Sequence, residues 1–350
     1  MERTSSAAAD AAIPAVVLPL SIIIPTWNGR SLLARYLPSV AAEAARFAAA
    51  GDAVPEILIS DDGSSDGTPA WLAAAFPAMR CVASTVNRGF GPAVNTAVAA
   101  ARGELIVLLN NDAELLPGAL APLPAAFADP VLFGVTLRAT APDGTFATGG
   151  KLGRFRRGFW EAWRNYDGLA GPSFALVGGF CAFRRQAFLN LGGFDPLFAP
   201  YYWEDLDLSY RARKRGAEIR YLPHPAVRHE VSATIRRHRS SFARAAIIHR
   251  NRLLLHWKNL DAPLLRRHLL WAHLMLPQLA LKGDFAYHAG YVQALARWAE
   301  VRRFRRAERP YWRRPDTALA VVAPECNSSG AGSVMHMQDG AAGGPGSGIH

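Results

Sequence analysis

Two short runs, at residues 16–24 and 105–109, are apolar at nearly every position instead of alternating with polar ones, and a third, 56–60, is apolar at its three central positions. Runs of this length, rich in Leu, Ile and Val, suit strands covered on both faces of a parallel sheet. Each then breaks into polar residues: Pro25-Thr26-Trp27-Asn28-Gly29, Asp61-Asp62-Gly63 and Asn110-Asn111-Asp112. Ala-rich segments between them predict helices at 31–50, stopped by Gly51 and with Pro38 as a site for a kink, and at 93–102, closed by Gly103. Another helix starts at Thr68 as N-cap, with Pro69 in its first turn, and a short strand covers 81–85. Strand, acid and helix in repetition predict an α/β fold: a doubly wound, mostly parallel sheet with helices on both faces.

Further along, the pattern predicts a helix at 117–127, a strand at 131–139 and a hairpin around Pro142-Asp143-Gly144. Residues 151–166 are basic and aromatic and take no regular assignment; they suit an acceptor loop or a solvated loop with snorkelled aromatics. A strand at 174–184 contains Gly178-Gly179, which permits close backbone approach. A short helix, a helix at 205–216 and a strand at 218–222 follow, and then a segment carrying His224 and His229.

From residue 234 the chain changes to Arg- and His-rich helices at 240–259, 264–281 and 286–306. Arg266, Arg267, His268 and His273 interrupt the apolar runs, so none is a credible membrane span. The stretch 297–314, with Trp298, Phe304, Tyr311 and Trp312 among arginines, reads as an interfacial anchor on anionic lipid or as a solvated basic helix capping the catalytic part. The expected organisation is a flexible arm at 1–15, a catalytic domain at 16–232, a helical basic extension at 233–315 and a disordered tail at 316–350.

Composition narrows the picture. A chain of 350 residues, half of them hydrophobic, can bury a large core. The formal charge of +11 calls for anionic partners: nucleic acid, an acidic membrane surface or phosphorylated substrates. A non-enzymatic nucleic-acid module rests on charge alone, and no nucleic-acid motif supports it. Three cysteines without CxxC spacing indicate neither a disulfide framework nor a zinc site, and fit a reducing cytoplasm. The first twenty residues read as neither a secretory signal nor a span.

The chemistry collects at the strand ends. In open α/β sheets, ligands gather outside the carboxyl edges, where Asp112 could meet a hard cation and a phosphorylated ligand; Asn110, Asn111 and Asp112 could equally serve as turn formers. Trp27 could stack on a base or pack under the next helix. Asp61 and Asp62 can accept hydrogen bonds from a base N–H or ribose hydroxyls. Asn87-Arg88-Gly89 precedes a helix start that favours phosphate, with Arg88 as a fork donor. One carboxylate of Glu204-Asp205-Leu206-Asp207 suits a general base, although a favourable helix dipole alone would explain acids there. A returning histidine could ligate a metal beside Asp112.

With these pieces in order, the chain resembles the family-two glycosyltransferases of GT-A fold over residues 21–229. The resemblance lies in SIIIPTWNG, SDDGSSDGT, NRGFGPAVNTA, LLNND, VGGFCAFRR, GGFDPLF and WEDLDLSYRARKRG. It looks most like the rhamnosyltransferase-like branch, where a triplet ending in Asp, here Asn110-Asn111-Asp112, replaces Asp-x-Asp. The resemblance implies that Pro25, Trp27 and Asp61 line a nucleoside pocket, and that Asn28, Asp62, Asn87, Arg88, Gly89, Asn110, Asn111, Gly178 and Gly179 complete the donor site. It further implies that Asp112 holds a divalent cation, Mn or Mg, that His229 closes the metal site, and that Asp205 is the base beside Glu204. No Gln-x-x-Arg-Trp signature of processive members is present, so a single sugar addition is expected. The implied partners are a nucleotide-diphosphate sugar, a glycan or lipid-linked acceptor and an anionic membrane surface, with rhamnose on thymidine diphosphate the favoured donor. The implied location is cytoplasmic, peripheral on the inner face of the plasma membrane. The rival enzyme reading is a nucleotidyltransferase acting on a sugar phosphate.

Overall fold

The computed structural model describes residues 18–229 and 241–321. The expected arm at 1–15, most of the expected tail and Cys326 lie outside the described residues. The first half runs β1 (Leu20–Thr26), α1 (Arg30–Ala49), β2 (Glu56–Asp61), α2 (Thr68–Ala75), β3 (Arg80–Ala83), α3 (Phe90–Ala100) and β4 (Leu105–Leu109). Its four strands pair in parallel in the order β3-β2-β1-β4. The continuous apolar runs follow from burial on both faces: Leu105, Val107 and Leu109 join one cluster with Leu33, Leu37 and Val40 of α1. Ile106 and Leu108 join another with Val94 and Val98 of α3. The order reverses between β1 and β4, which opens a crevice at their carboxyl ends.

The sheet continues through β5 (Ala113–Leu115), α4 (Leu123–Ala126), β6 (Leu132–Thr140), β7 (Phe146–Thr148), β8 (Gly150–Arg156), β9 (Phe159–Tyr166), β10 (Gly171–Pro172), β11 (Phe180–Arg184), α5 (Arg185–Asn190), α6 (Glu204–Lys214) and β12 (Glu218–His229). Beyond β4 the order is β11-β6-β12-β10. Because β11 is antiparallel to both β4 and β6, and β12 is parallel to β6, β11 is the one long strand reversed in a mostly parallel sheet.

Several elements differ from expectation. The helix at 117–127 shrinks to α4, since Pro117, Pro122 and Pro124 interrupt it and Gly118 sits at φ +82°. Glu43 of α1 takes up the backbone N–H groups of Gly118 and Leu120 instead. Gly67, not Thr68, is the N-cap of α2, and Asp66 accepts from the Thr68 N–H and hydroxyl. The unassigned stretch 151–166 is the β8–β9 hairpin, turned by Arg157 and Gly158, both with positive φ, as a tight two-residue hairpin requires. Of the strand expected at 174–184 only β11 pairs; Phe174, Ala175 and Leu176 are buried without joining a ladder.

The C-terminal helices are α7 (Ser241–Asn259), α8 (Ala262–Leu281), α9 (Phe285–Ala296) and α10 (Trp298–Glu308), so the helix expected at 286–306 breaks at Arg297. They form a common apolar cluster with the β8–β9 hairpin and α6. Lys258 Nζ of α7 reaches Asp195 at 2.5 Å and the fully buried Asp207 at 2.9 Å. Lys214 Nζ of α6 reaches Asp261 at 2.6 Å and Asp316 at 2.7 Å, and Arg215 pairs with Glu308 at 2.7 Å. The start of the expected disordered tail is ordered: Asp316–Leu319 is a 3-10 turn with Asp316 buried, and Val321 bridges Gly153. Three of the aromatics of 297–314 pack on the protein and one does not: Trp298 lies edge-on to Trp257, Lys258 and Lys214 cap the rings of Phe304 and Trp312 at 3.9 and 4.0 Å, and Tyr311 is exposed.

Candidate active site

The crevice at the β1/β4 switch is built from loops that tie each other down. Asn28, at φ +49°, donates its N–H to Ser64 Oγ and accepts from the Ser65 N–H through Oδ1; Asp66 accepts from the Arg30 N–H. Asn28 therefore fastens the loop after β1 to the loop after β2. Pro25 and Thr26 belong to β1, in register with Ser60 and Asp61, and Trp27 is half-buried just beyond them. Asp61 is buried; its Oδ2 accepts from the Ser64 N–H, whereas its Oδ1 has no hydrogen-bond partner among the described residues. A buried carboxylate oxygen in that state is costly unless a ligand donor completes it. An open cavity of about 310 Å³ beside it is lined by Asp61, Asp62, Ser84, Arg88 and Thr96.

The turn before α3 differs from the expected phosphate cradle. Asp62 accepts from the N–H groups of Arg88 at 2.9 Å and Gly89 at 2.7 Å, and the Phe90 N–H donates to Pro200. These donors are satisfied by protein, so backbone capture of phosphate there is corrected; the exposed Arg88 side chain remains at the cavity, and Asn87 is exposed. Burial raises the Asp62 carboxyl above its ordinary value, against the two N–H bonds that lower it.

At the end of β4, Asn111 Nδ2 donates to Thr26 Oγ1 across the switch at 2.8 Å, and the Asn110 N–H donates to Gly179. Gly179 has φ +94°, and a Cβ there would lie 2.2 Å from Asn110 Oδ1; one at Gly178 would lie 3.2 Å from Asp205 Oδ2. The close approach expected of this pair is thus to Asn110 and Asp205. The Gly178-Gly179 turn joins the triplet to the start of α6. Pairing of β5 with β12 sets Ala113 opposite His229, which brings His229 Nε2 to 3.2 Å from Asp112 Oδ1, with the imidazole against the Phe180 ring. His224 is exposed and stands apart from this pair, near Gly118. Among the described residues no group of three His, Cys, Asp or Glu side chains gathers as a metal cage.

The base candidates sit at the start of α6. Tyr202 and Trp203 precede it at φ +72° and +77°, and three carbonyls of this loop, Phe198, Tyr201 and Tyr202, accept from the buried Asn251 amide of α7. Asp205 Oδ2 accepts from the Gly178 N–H at 2.9 Å and Oδ1 from the Leu206 N–H at 2.7 Å, which fixes the carboxylate's orientation. Asp207 belongs elsewhere: burial would raise it, but Lys258 and Arg211 hold it below its ordinary value, as a structural anion. Asn251 escaped sequence reading because nothing local marks it, and Lys151 of β8 appeared only as one charge in an unassigned stretch. Burial pulls the Lys151 ammonium down while Asp205 opposes this, so Lys151 lies within electrostatic reach of Asp205.

Burial, reinforced by the Asp205 charge, pushes the Glu204 carboxyl from 4.5 up to about 8. A carboxyl raised on folding keeps its proton in the native state and loses it on unfolding. Its contribution is complete below pH 4.5 and is lost as pH rises towards 8. Urea unfolding across that window should therefore show wild type losing stability relative to Glu204→Gln, and parallel profiles would refute the raised carboxyl.

Comparison with known proteins bears on the family and the fold. Residues 21–192 match the model of "Glycosyl transferase family 2". An N-acetylglucosaminyl-diphospho-decaprenol L-rhamnosyltransferase of Mycobacterium tuberculosis is 28% identical over 240 residues, 60% of this chain and 75% of the relative. The structure of S. aureus TarS 1-349 with UDP-GlcNAc is similar at a TM-score of 0.54 and 16% identity, covering 81% of each chain. The structure of GalNAc-T7 with UDP, GalNAc and Mn2+ gives a TM-score of 0.54 at 20% identity, covering 71% of this chain and about half, 49%, of that one. With a family-two domain at 21–192 on a GT-A sheet, this chain is a glycosyltransferase, and it resembles the rhamnosyltransferase-like branch of that family.

Proposed function

We propose that the chain transfers one sugar, with inversion, from a nucleoside-diphosphate sugar to a hydroxyl of a glycan or lipid-linked acceptor. The observation that carries this is the Gly178-Gly179 turn, which ties the end of β4, and so the triplet that ends in Asp112, to Asp205 at the same edge where Asp61 keeps an uncompleted oxygen. Asp61 and Trp27 receive the nucleoside, and Arg88 reaches towards its phosphates. Asp205 takes the proton of the acceptor hydroxyl as the oxygen bonds to the anomeric carbon. The bond from that carbon to the diphosphate breaks with its electron pair on the diphosphate, and a single displacement inverts the centre.

Asp112 and His229 suit a small divalent cation, Mn or Mg, because such ions take few protein ligands and fill their remaining positions with phosphate oxygens and water. When bound, the cation supplies positive charge against the diphosphate leaving group. The relative's name favours rhamnose as the sugar and a diphospho-polyprenol as the acceptor carrier. Among the described residues no helix is long and apolar enough to cross a membrane. The proposed location is peripheral, on the cytoplasmic face, where a lipid-linked acceptor would be presented. For domains, 16–232 holds the chemistry and 233–315 acts as its support, with the ordered residues 316–321 added to that support.

A thermal-shift screen of nucleotide sugars with Mn or Mg tests the reading. A true donor at 100 times its Kd adds about 2.7 kcal/mol. Stabilisation by nucleoside triphosphates and not by nucleotide sugars, with pyrophosphate released once a sugar phosphate is added as the attacking group, would instead establish the nucleotidyltransferase. In calorimetry, Asp112→Asn should weaken donor binding and abolish its response to chelator, because the carboxylate that neutralises the cation is gone. Unchanged affinity with an unchanged chelator response would reduce Asp112 to a turn residue.

A further inference from the structure

Helix α8 is apolar on two sides, yet the described residues cover only one. Of its 20 residues just His268 and Ala272 are fully buried, and Leu264, Leu265, Leu269 and Leu276 pack partly on the neighbouring cluster. Leu270, Leu274 and Leu281 are 60%, 45% and 90% exposed. At about 100° per residue they lie roughly 160° to 200° around the helix from Ala272, directly opposite the packed side. The next helix repeats the arrangement: Ala286, Gly290 and Ala294 of α9 are buried, while Phe285, Val292 and Leu295 are exposed on the far side. An amphipathic helix in water should carry polar groups there.

We propose that these outward stripes of α8 and α9 form a surface that lies on an anionic lipid leaflet. Charge complementarity selects that occupant over a second copy of the chain. Residues 262–314 hold eleven Lys and Arg against three Asp and Glu, a balance of +8 out of the chain's +11. Arg266 and Arg267 at one end of α8, Lys282 in the turn to α9, and Arg302 and Arg303 on the following α10 are all exposed. Two such faces would repel each other in a dimer, whereas leucines entering the acyl boundary with arginines at the headgroups is the arrangement of an interfacial helix. No described helix can span, so the contact is parallel to the surface. The inference stands on this face and does not depend on the chemistry assigned to the crevice.

The test uses the full chain in flotation with vesicles of phosphatidylglycerol and phosphatidylcholine, and with phosphatidylcholine alone. Wild type should float with the anionic vesicles, less at high salt, and hardly at all with the neutral ones. Leu270→Glu combined with Leu274→Glu, both solvent-facing and so compatible with folding, should reduce flotation at least about tenfold; Arg302→Gln with Arg303→Gln should reduce it at low salt. Circular dichroism and transfer to a soluble acceptor should remain as in wild type, which separates failure of this surface from failure of the site. Equal flotation of the Leu variant and wild type, or no flotation of wild type, overturns the proposal. So does a wild-type dimer that the Leu variant splits without any vesicle binding, since the face would then belong to a second copy.

Discussion

Asp205→Asn lowers turnover by about 10²- to 10⁴-fold while donor affinity stays nearly unchanged, the signature of an interaction made only in the transition state. The geometry sharpens this expectation. Both Asp205 oxygens accept backbone N–H bonds, from Gly178 and Leu206. An amide can accept only one of them and must present its NH₂ to the other donor, at a cost of about 1–3 kcal/mol. Part of any loss could then come from a shifted Gly178-Gly179 turn, which also touches Asn110. Measuring donor affinity separates the two: a displaced turn disturbs the triplet and weakens donor binding, whereas loss of the proton acceptor alone does not. Glu204→Gln should be milder, because burial already keeps that carboxyl protonated at neutral pH. Near-normal turnover in Asp205→Asn together with its abolition in Glu204→Gln would move the base by one residue.

The parts of this fold that are legible in sequence are those whose cause is local. β1, β2 and β4 read correctly because a strand covered on both faces needs consecutive apolar residues, and Asp61 and Asp112 stand out because a carboxylate ending such a run has no packing purpose. The β8–β9 hairpin was illegible for an equally physical reason. Phe159 and Trp160 are adjacent and both buried, which destroys the period-two signal. Phe159 lies edge-on to His256 and His268, and the Trp160 N–H donates to His256 Nε2. That burial depends on helices about a hundred residues away. The acids of Trp203-Glu204-Asp205-Leu206-Asp207 illustrate the same limit: spacing placed all three on one helical turn. Only Gly178 on one side and Lys258 on the other divide them into an oriented carboxylate and a structural anion.

That division gives the largest stability effect expected in the molecule. Asp207 is fully buried between Lys258 and Arg211, with Asn259 as a further donor. Asp207→Asn removes the charge that compensates two buried cations and leaves Lys258 with only the partly exposed Asp195. Breaking a buried pair in this way costs about 3–5 kcal/mol, far more than losing an exposed ion pair. Lys258→Met alone leaves Asp207 with Arg211 and should cost less. The double variant should recover at least about 1 kcal/mol relative to the sum of the single changes, since neither charge is then left without its partner. Urea unfolding of the four proteins measures this directly; additive losses would mean that Lys258 and Asp207 act independently and that α7 does not hold α6. Because Asp207 lies two residues after Asp205, a coupled result would also make the C-terminal helices part of the catalytic apparatus. Removing 297–350 should then lower turnover on a soluble acceptor, through the loss of Asp316 and Glu308 from Lys214 and Arg215.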